Sequence, residues 1–408
     1  MEYFELHRML KEKVDYADFA KIDALTDLYN FDFESRSCRI LPCEGNYRCE
    51  QHRFACDISG EFENTIANHS KSLNIADAHI VENRQFRYHV FHPSHQERAR
   101  KIVLMFHGFN EKHWAKYLPW AKRLSENTGK TIILFPIAFH MNRAPQDWSD
   151  RRKMFAVSEL RRAQFPRIAH STLSNVAISM RLHTRPQRFF WSGLQSYYDV
   201  IRLTEEIKAD KHPLIAPDAS IDFFAYSIGC LLAEILMMTN QCGYFDRSKL
   251  FMFCGGPVFN RLSPVSKFIL DSEANVALYS FVVEHLENHL KNDPHLQHYL
   301  SEQHPEGVYF RSMLNYGKML GYREEAFGRI GSRVMAVALE NDTVIPPYEV
   351  VNTLQGVARN LPATVEIIDF PYPYKHEDPF PCLTSVGKEV TRQFHRVFEM
   401  AGGFLGRE

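Results

Sequence analysis

Between residues 221–224, a mostly apolar and β-prone run, and residues 230–236, an uninterrupted helix-forming run, the chain reads Ala225-Tyr226-Ser227-Ile228-Gly229. A serine at such a strand-to-helix corner is forced into a tight, strained turn that lifts its hydroxyl clear of the sheet. Small residues two places before and two places after let neighbouring backbone approach without a Cβ clash. Nucleophilic attack on an acyl carbon needs that kind of unhindered hydroxyl, so the corner points to a hydrolase.

A second group of chemically capable residues lies near the start of the chain. Cys38, Cys43, Cys49 and Cys56 cluster with His52 nearby, but their spacing contains no C-x-x-C pair, which argues against zinc. A disulfide would need an oxidising compartment that the first residues do not announce, because they lack the basic start and apolar core of a signal peptide. Free thiols are therefore expected, with no metal and no cofactor. The other four cysteines, Cys230, Cys242, Cys254 and Cys382, stand in largely apolar surroundings and are expected to be buried and inert.

The elements that must position Ser227 can be read from the hydrophobic rhythm. Residues 102–106 are apolar at every position, as expected when helices cover both faces of a parallel strand. Similar runs follow at 131–135, 221–224, 250–254 and 334–339, and a more polar one at 365–370 suits a sheet edge. Helical segments are expected at 114–127, 195–209, 229–238 and 384–400. Strand and helix in alternation imply an α/β, doubly wound, mostly parallel sheet with right-handed crossovers. Alternation over 86–91 suggests a further edge strand, residues 38–60 hold short β-like pieces, and residues up to about 31 carry apolar groups at roughly helical spacing.

Two spacers, 137–190 and 256–331, are far too long for plain crossovers. The second is expected to hold helices at 264–290 and 309–320, with Ser263 and Pro264 as cap and first turn of the former. The first is basic, with ten Lys or Arg against three acidic residues. The expected organisation is an N-terminal extension over 1–75, a core over 76–255 and 332–408 with a basic insertion at 137–190, and a helical cap or lid over 256–331.

From residue 86 to about 400 the chain resembles the α/β-hydrolase superfamily, interrupted by the two insertions. Ala225 replaces the glycine usual at the first position of the serine corner, and alanine is small enough for that place. The resemblance implies a serine, acid, histidine order. Asp342, in the turn after the 334–339 run and just before Val344-Ile345-Pro346, is the expected acid, with Glu340 as runner-up. His376, the one histidine in the proline-rich loop after the last strand, is the expected base. His107-Gly108-Phe109 resembles the family's His-Gly-x motif and implies an oxyanion hole from the N–H groups of Phe109 and Ile228. Gly108 is expected to supply the turn. His107, Gly108, Tyr226, His140, Arg143 and Trp148 are expected to line the substrate site.

The expected activity is hydrolysis of an ester or related acyl bond in a small molecule through an acyl-enzyme. The same residues serve an acyltransferase or a peptidase, and a non-catalytic binding protein of this fold is the alternative from a different class. The net charge of −1 and the lack of a recognition motif argue against nucleic acid. The longest apolar stretch, 221–238, contains Asp222, Ser227 and Glu234 and reads as strand plus helix, so no stable membrane insertion is expected. The simplest address is the cytoplasm, and the oligomeric state stays open. The basic insertion is expected to be a solvated face, with attraction of an anionic substrate as the alternative.

Overall fold

The computed structural model describes residues 2–13, 19–43, 45–58 and 73–407. Its strands are β1 (Phe19–Lys21), β2 (Thr26–Glu34), β3 (Gly45–Arg48), β4 (Ala55–Ile58), β5 (Gln85–Pro93), β6 (Ala99–Phe106), β7 (Thr131–Leu134), β8 (Ile215–Tyr226), β9 (Leu250–Phe253), β10 (Val334–Leu339) and β11 (Thr364–Ile368). Nine of them form one sheet in the order β1-β2-β5-β7-β6-β8-β9-β10-β11, and β3 pairs with β4 apart from it. The six strands from β7 to β11 run parallel, whereas β5 is antiparallel to both of its neighbours and β1 to β2. The sheet is thus doubly wound and mostly parallel.

The uniformly apolar strands fill two cores, one on each face. In β6, Ile102, Leu104 and Phe106 face one cluster with the helices Arg188–Lys208 and Ile228–Thr239. Val103 and Met105 face the other, with Tyr3–Lys13, Tyr117–Thr128 and Gly387–Leu405. Alternate side chains of one strand cannot leave either face wet, so the run is apolar throughout.

Several expectations need correction. Among the described residues the helical spacing near the start holds for Tyr3–Lys13, while β1 and β2 extend the sheet; positions 14–18 lie outside the described residues. Asp23 decides this locally: its side chain accepts from the N–H groups of Leu25 and Thr26 and closes the β1–β2 turn. The strand at 86–91 is interior, because β2 covers it, and β1 is the edge. Ser263 caps nothing; the helix starts at Ser272, where the Asp271 carboxylate accepts from the Ala274 N–H. The helix expected at 309–320 is split into Pro305–Ser312 and Leu320–Ile330, with Met319 left-handed between them.

Candidate active site

The carboxyl ends of β6, β8 and β10 open on the same edge of the sheet, since β8 pairs with β6 and only β9 lies between β8 and β10, all four running parallel. β8 delivers Ser227 directly into the helix Ile228–Thr239. Ser227 adopts φ 54° and ψ −125°, a region sparsely populated by any residue with a side chain. Such strain costs about 1–3 kcal/mol and persists only where the surroundings over-determine it. They do so here. The Ser227 N–H donates to the Phe253 carbonyl, while a Cβ on Gly229 would stand 2.8 Å from the His107 carbonyl oxygen and one on Gly255 2.7 Å from the Ser227 carbonyl oxygen.

The turn aims the hydroxyl at the histidine loop. Ser227 Oγ lies 2.7 Å from His376 Nε2, and His376 Nδ1 lies 2.7 Å from Asp342 Oδ2. All three side chains are buried. The second carboxylate oxygen of Asp342 accepts from the N–H groups of Val344 and Ile345 at 2.9 Å each, which fixes its plane. The Cys254 thiol beside it is pushed well up by burial and then by the Asp342 charge, so it stays protonated next to the carboxylate. Glu340, two residues earlier, is exposed and its N–H donates back to Ile368 in the sheet. The turn that follows β10 at Leu339 buries Asp342 and leaves Glu340 exposed.

The N–H groups of Phe109 and Ile228 engage no acceptor among the described residues. Ile228 opens a twelve-residue helix, where the helix dipole also favours negative charge. Gly108 does not supply the turn by a left-handed conformation; Asn110 does, with φ 58°. Glycine is needed at 108 for close approach, because a Cβ there would lie 3.1 Å from the Tyr226 ring and 3.4 Å from Ser227 Cβ. The Gly108 N–H donates to the Tyr117 hydroxyl, which in turn donates to Glu111. Tyr117 and Glu111 carried no sequence signal as site residues, since a helix aromatic and a loop acid are common everywhere.

The residues expected to line the substrate site divide into two kinds. His107 is fully engaged: Nε2 accepts from the Ile137 N–H at 2.9 Å and Nδ1 donates to its neighbour's carbonyl, Gly108, at 2.8 Å. Burial and the nearby His140 hold it well below its usual pKa, so it is a neutral strut. Arg143 faces the interior, paired with Asp199 at 2.7 Å and bonded to Asn83 and the Pro136 carbonyl. Tyr226 packs under His376 and gives its hydroxyl to the His376 carbonyl. All three side chains are engaged by protein groups.

His140 is different. Its Nδ1 donates to the Ala138 carbonyl, but its buried Nε2 has no partner, and burial lowers its pKa to about 4. It lines an apolar crevice with Phe109, Phe189, Ile228, Leu231 and Phe310. Trp148 lines an adjoining pocket with Phe109 and His140, with Arg181 over its ring at 4.8 Å. A larger cavity of about 440 Å³, between Arg188 and His295, contains none of Ser227, His376 or Asp342. The crevice adjoins the serine through Ile228 and Leu231, which also line a small pocket holding Ser227, Phe259 and Ile345.

The basic insertion is only partly a solvated face. Arg143, Arg161, Arg181 and Arg188 turn inward onto Asp199, Asp271 and Asp77, whereas Arg151, Arg152, Arg162 and Arg167 are exposed. Three acids from other segments, Asp77, Asp199 and Asp271, offset part of the apparent charge excess, which the composition of 137–190 could not reveal. Among the described residues no helix is long and apolar enough to cross a membrane.

The profile of a family described as a family of unknown function, DUF6051, matches residues 1–406. The chain belongs to the DUF6051 family. No curated protein matches this DUF6051 sequence. Among solved structures, the esterase Est22 is similar at 10% identity and a TM-score of 0.46, covering 99% of this chain and 88% of its own. Carboxyl esterase 2 from the mycorrhizal fungus Tuber melanosporum is similar at 11% identity and a TM-score of 0.42, covering 79% of this chain and 82% of its own. An esterase from Pyrobaculum calidifontis is similar at 12% identity and a TM-score of 0.40, covering 78% and 82%.

Proposed function

We propose that this DUF6051 protein is a serine hydrolase that cleaves an ester or related acyl bond of a small molecule through an acyl-enzyme. The observation that carries the reading is the continuous proton path Ser227 Oγ, His376 Nε2, His376 Nδ1, Asp342 Oδ2, with both links at 2.7 Å. In this reading His376 takes the Ser227 proton as Oγ attacks the acyl carbon, and Asp342 holds the imidazole tautomer and stabilises its charged form. The unengaged N–H groups of Phe109 and Ile228 receive the oxyanion. His376 then gives the proton to the leaving alcohol. Water, deprotonated by the same imidazole, attacks the acyl-enzyme and frees Ser227 as the acid departs.

The apolar walls of the crevice beside Ile228 support a hydrocarbon acyl group, and the helices of 256–331 that contribute Phe310 to it act as its cap. The test is labelling by a serine-directed fluorophosphonate, followed by turnover of a chain-length series of esters. The wild-type chain takes up the label and Ser227→Ala does not. Asp342→Asn lowers ester turnover by about 10⁴-fold, and Glu340→Gln leaves it unchanged. Undiminished labelling of Ser227→Ala would overturn the proposal.

A further inference from the structure

Far along the chain from the serine, two segments of very different sequence position meet. The turn between β3 and β4 carries Cys49 and His52, and the helix Pro294–Tyr299 with the residue preceding Pro305–Ser312 carries His298 and His304. One ligand atom from each of these four side chains falls within a cluster whose members all lie within 4.8 Å of one another. His304 Nε2 stands 3.0 Å from His298 Nε2, 3.2 Å from His52 Nδ1 and 3.7 Å from Cys49 Sγ, and Cys49 Sγ is 3.6 Å from His52 Nδ1. A tetrahedral ion with bonds of about 2.0–2.1 Å to nitrogen and about 2.3 Å to sulfur sets its ligand atoms roughly 3.3–3.6 Å apart. Four of the six separations, at 3.0–3.7 Å, are close to those of that tetrahedron, and all six stay within 4.8 Å.

Hydrogen bonding explains why proton sharing is a poor account of the contact. His304 Nδ1 lies 2.8 Å from the Glu306 carboxylate, which accepts its proton and also accepts from the Tyr198 hydroxyl. That fixes the tautomer and leaves a lone pair on Nε2, pointing at three other groups. Ligating histidines are held in this way by a carboxylate on the far nitrogen. The rings are fixed as well: Phe54 stacks on His298 at 4.0 Å and 6°, and Tyr299 lies 4.3 Å from His304. His298, His304 and Glu306 are buried, so an unsatisfied convergence of lone pairs here would be costly.

We infer that Cys49, His52, His298 and His304 bind a zinc ion that clamps the β3–β4 hairpin to the helical insertion. One soft thiolate with three imidazoles in a compact tetrahedron suits Zn²⁺ better than the hard cations that prefer oxygen. Four protein ligands leave no open position, so the ion is structural and takes no part in acyl chemistry. On binding, the Cys49 thiol loses its proton to solvent as the sulfur–zinc bond forms. The helix that follows His304 presents Phe310, whose ring lies against Gly193 and lines the crevice beside Ile228. The clamp therefore reaches the crevice wall through a single short helix. The free-thiol expectation for Cys49 and the exclusion of a metal are revised by this inference. C-x-x-C spacing was the wrong pattern, because the pairs are Cys49-x-x-His52 and, distant in sequence, His298 with His304.

The test uses the full chain purified without a histidine tag. Elemental analysis is expected to return about one zinc per chain. After removal by a chelator, cobalt(II) should restore binding with a thiolate-to-metal charge-transfer band that Cys49→Ser abolishes and Cys43→Ser retains. Chelator should lower the unfolding temperature of the wild-type chain, and re-added zinc should restore it. Should Cys49→Ser fail to fold, Cys49→His keeps a ligand and is expected to bind cobalt without the charge-transfer band. Metal-free wild-type protein that takes up neither zinc nor cobalt, or variants of Cys49 that keep the thiolate band, would overturn the inference.

Discussion

The Tyr226 hydroxyl donates to the main-chain carbonyl of His376, and the two rings stack 15° from parallel with centroids 5.5 Å apart. The residue immediately before Ser227 therefore holds the loop that carries His376. Because Tyr226 is locked in β8, any slip of the His376 loop must break this bond and the stack together. In Tyr226→Phe the ring remains and the donor is lost. A net hydrogen bond of about 1–1.5 kcal/mol predicts a fall in kcat of roughly tenfold with KM little changed. Steady-state kinetics of the variant checks this, and a wild-type kcat would show that the bond does not position His376.

The close packing at the serine corner predicts unequal costs for glycine substitutions. A Cβ on Gly229 would stand 2.8 Å from both the His107 carbonyl oxygen and Phe106 Cβ, neither of which can move without shifting β6. Gly229→Ala should lose about 1–3 kcal/mol of stability. Gly328 lies within the helix Leu320–Ile330 with nothing within 4 Å of its would-be Cβ. Gly328→Ala should gain up to about 1 kcal/mol. Urea midpoints of the two variants give the comparison.

Arg143 and Arg151 belong to the same basic insertion but have opposite environments. The Arg143–Asp199 pair is fully buried, whereas Arg151 is exposed at the start of the helix Arg151–Gln164. Arg143→Leu leaves Asp199 as an uncompensated buried charge, and a loss of about 3–5 kcal/mol is expected. Arg151→Leu should change stability by no more than about 0.5 kcal/mol. Denaturant titration distinguishes them. If Arg143→Leu instead kept its stability and lost only binding of anionic esters, Arg143 would be a substrate contact.

Stability should depend on pH through histidines that are buried neutral. Burial lowers His140 and His212 to about 4 and holds His107 well below its usual value, against about 6.5 in the unfolded chain. Above pH 7 or so both states are neutral at these positions and nothing changes. As pH falls through about 6.5 the unfolded chain takes up protons that the folded chain refuses, so stability drops until about pH 4. Each such histidine adds up to one proton to the slope, about 1.4 kcal/mol per pH unit. Urea midpoints measured from pH 7.5 to 4.5 should decline, and His140→Gln should flatten the decline. A midpoint independent of pH over that range would show that these imidazoles protonate in place.

Much of the frame was legible in the residues themselves. Strands buried on both faces must be apolar at every position, so β6, β7, β9 and β10 stand out without any structural knowledge, and β11 is more polar because it lies at the edge. Ser227 was legible because a strand-to-helix corner with small flanking residues is a local property. The β1–β2 hairpin was not, because its apolar spacing imitates a helix and pairing with β5 along the sheet overrode that local pattern.

The sequence by itself determined which chemistries are present: a serine at a strained corner, acids at 340 and 342, one histidine in a proline-rich loop, and a scatter of cysteines and arginines. Tertiary structure alone decided which of these groups meet. It turned Asp342 inward and Glu340 outward, made His107, Arg143 and Tyr226 struts, and left the buried His140 Nε2 without a partner. It also brought Cys49 and His52 to His298 and His304. The physical reason is that charge pairing, hydrogen bonding and ligation act over about 3 Å, whereas sequence patterns report only the local backbone period and the burial it implies.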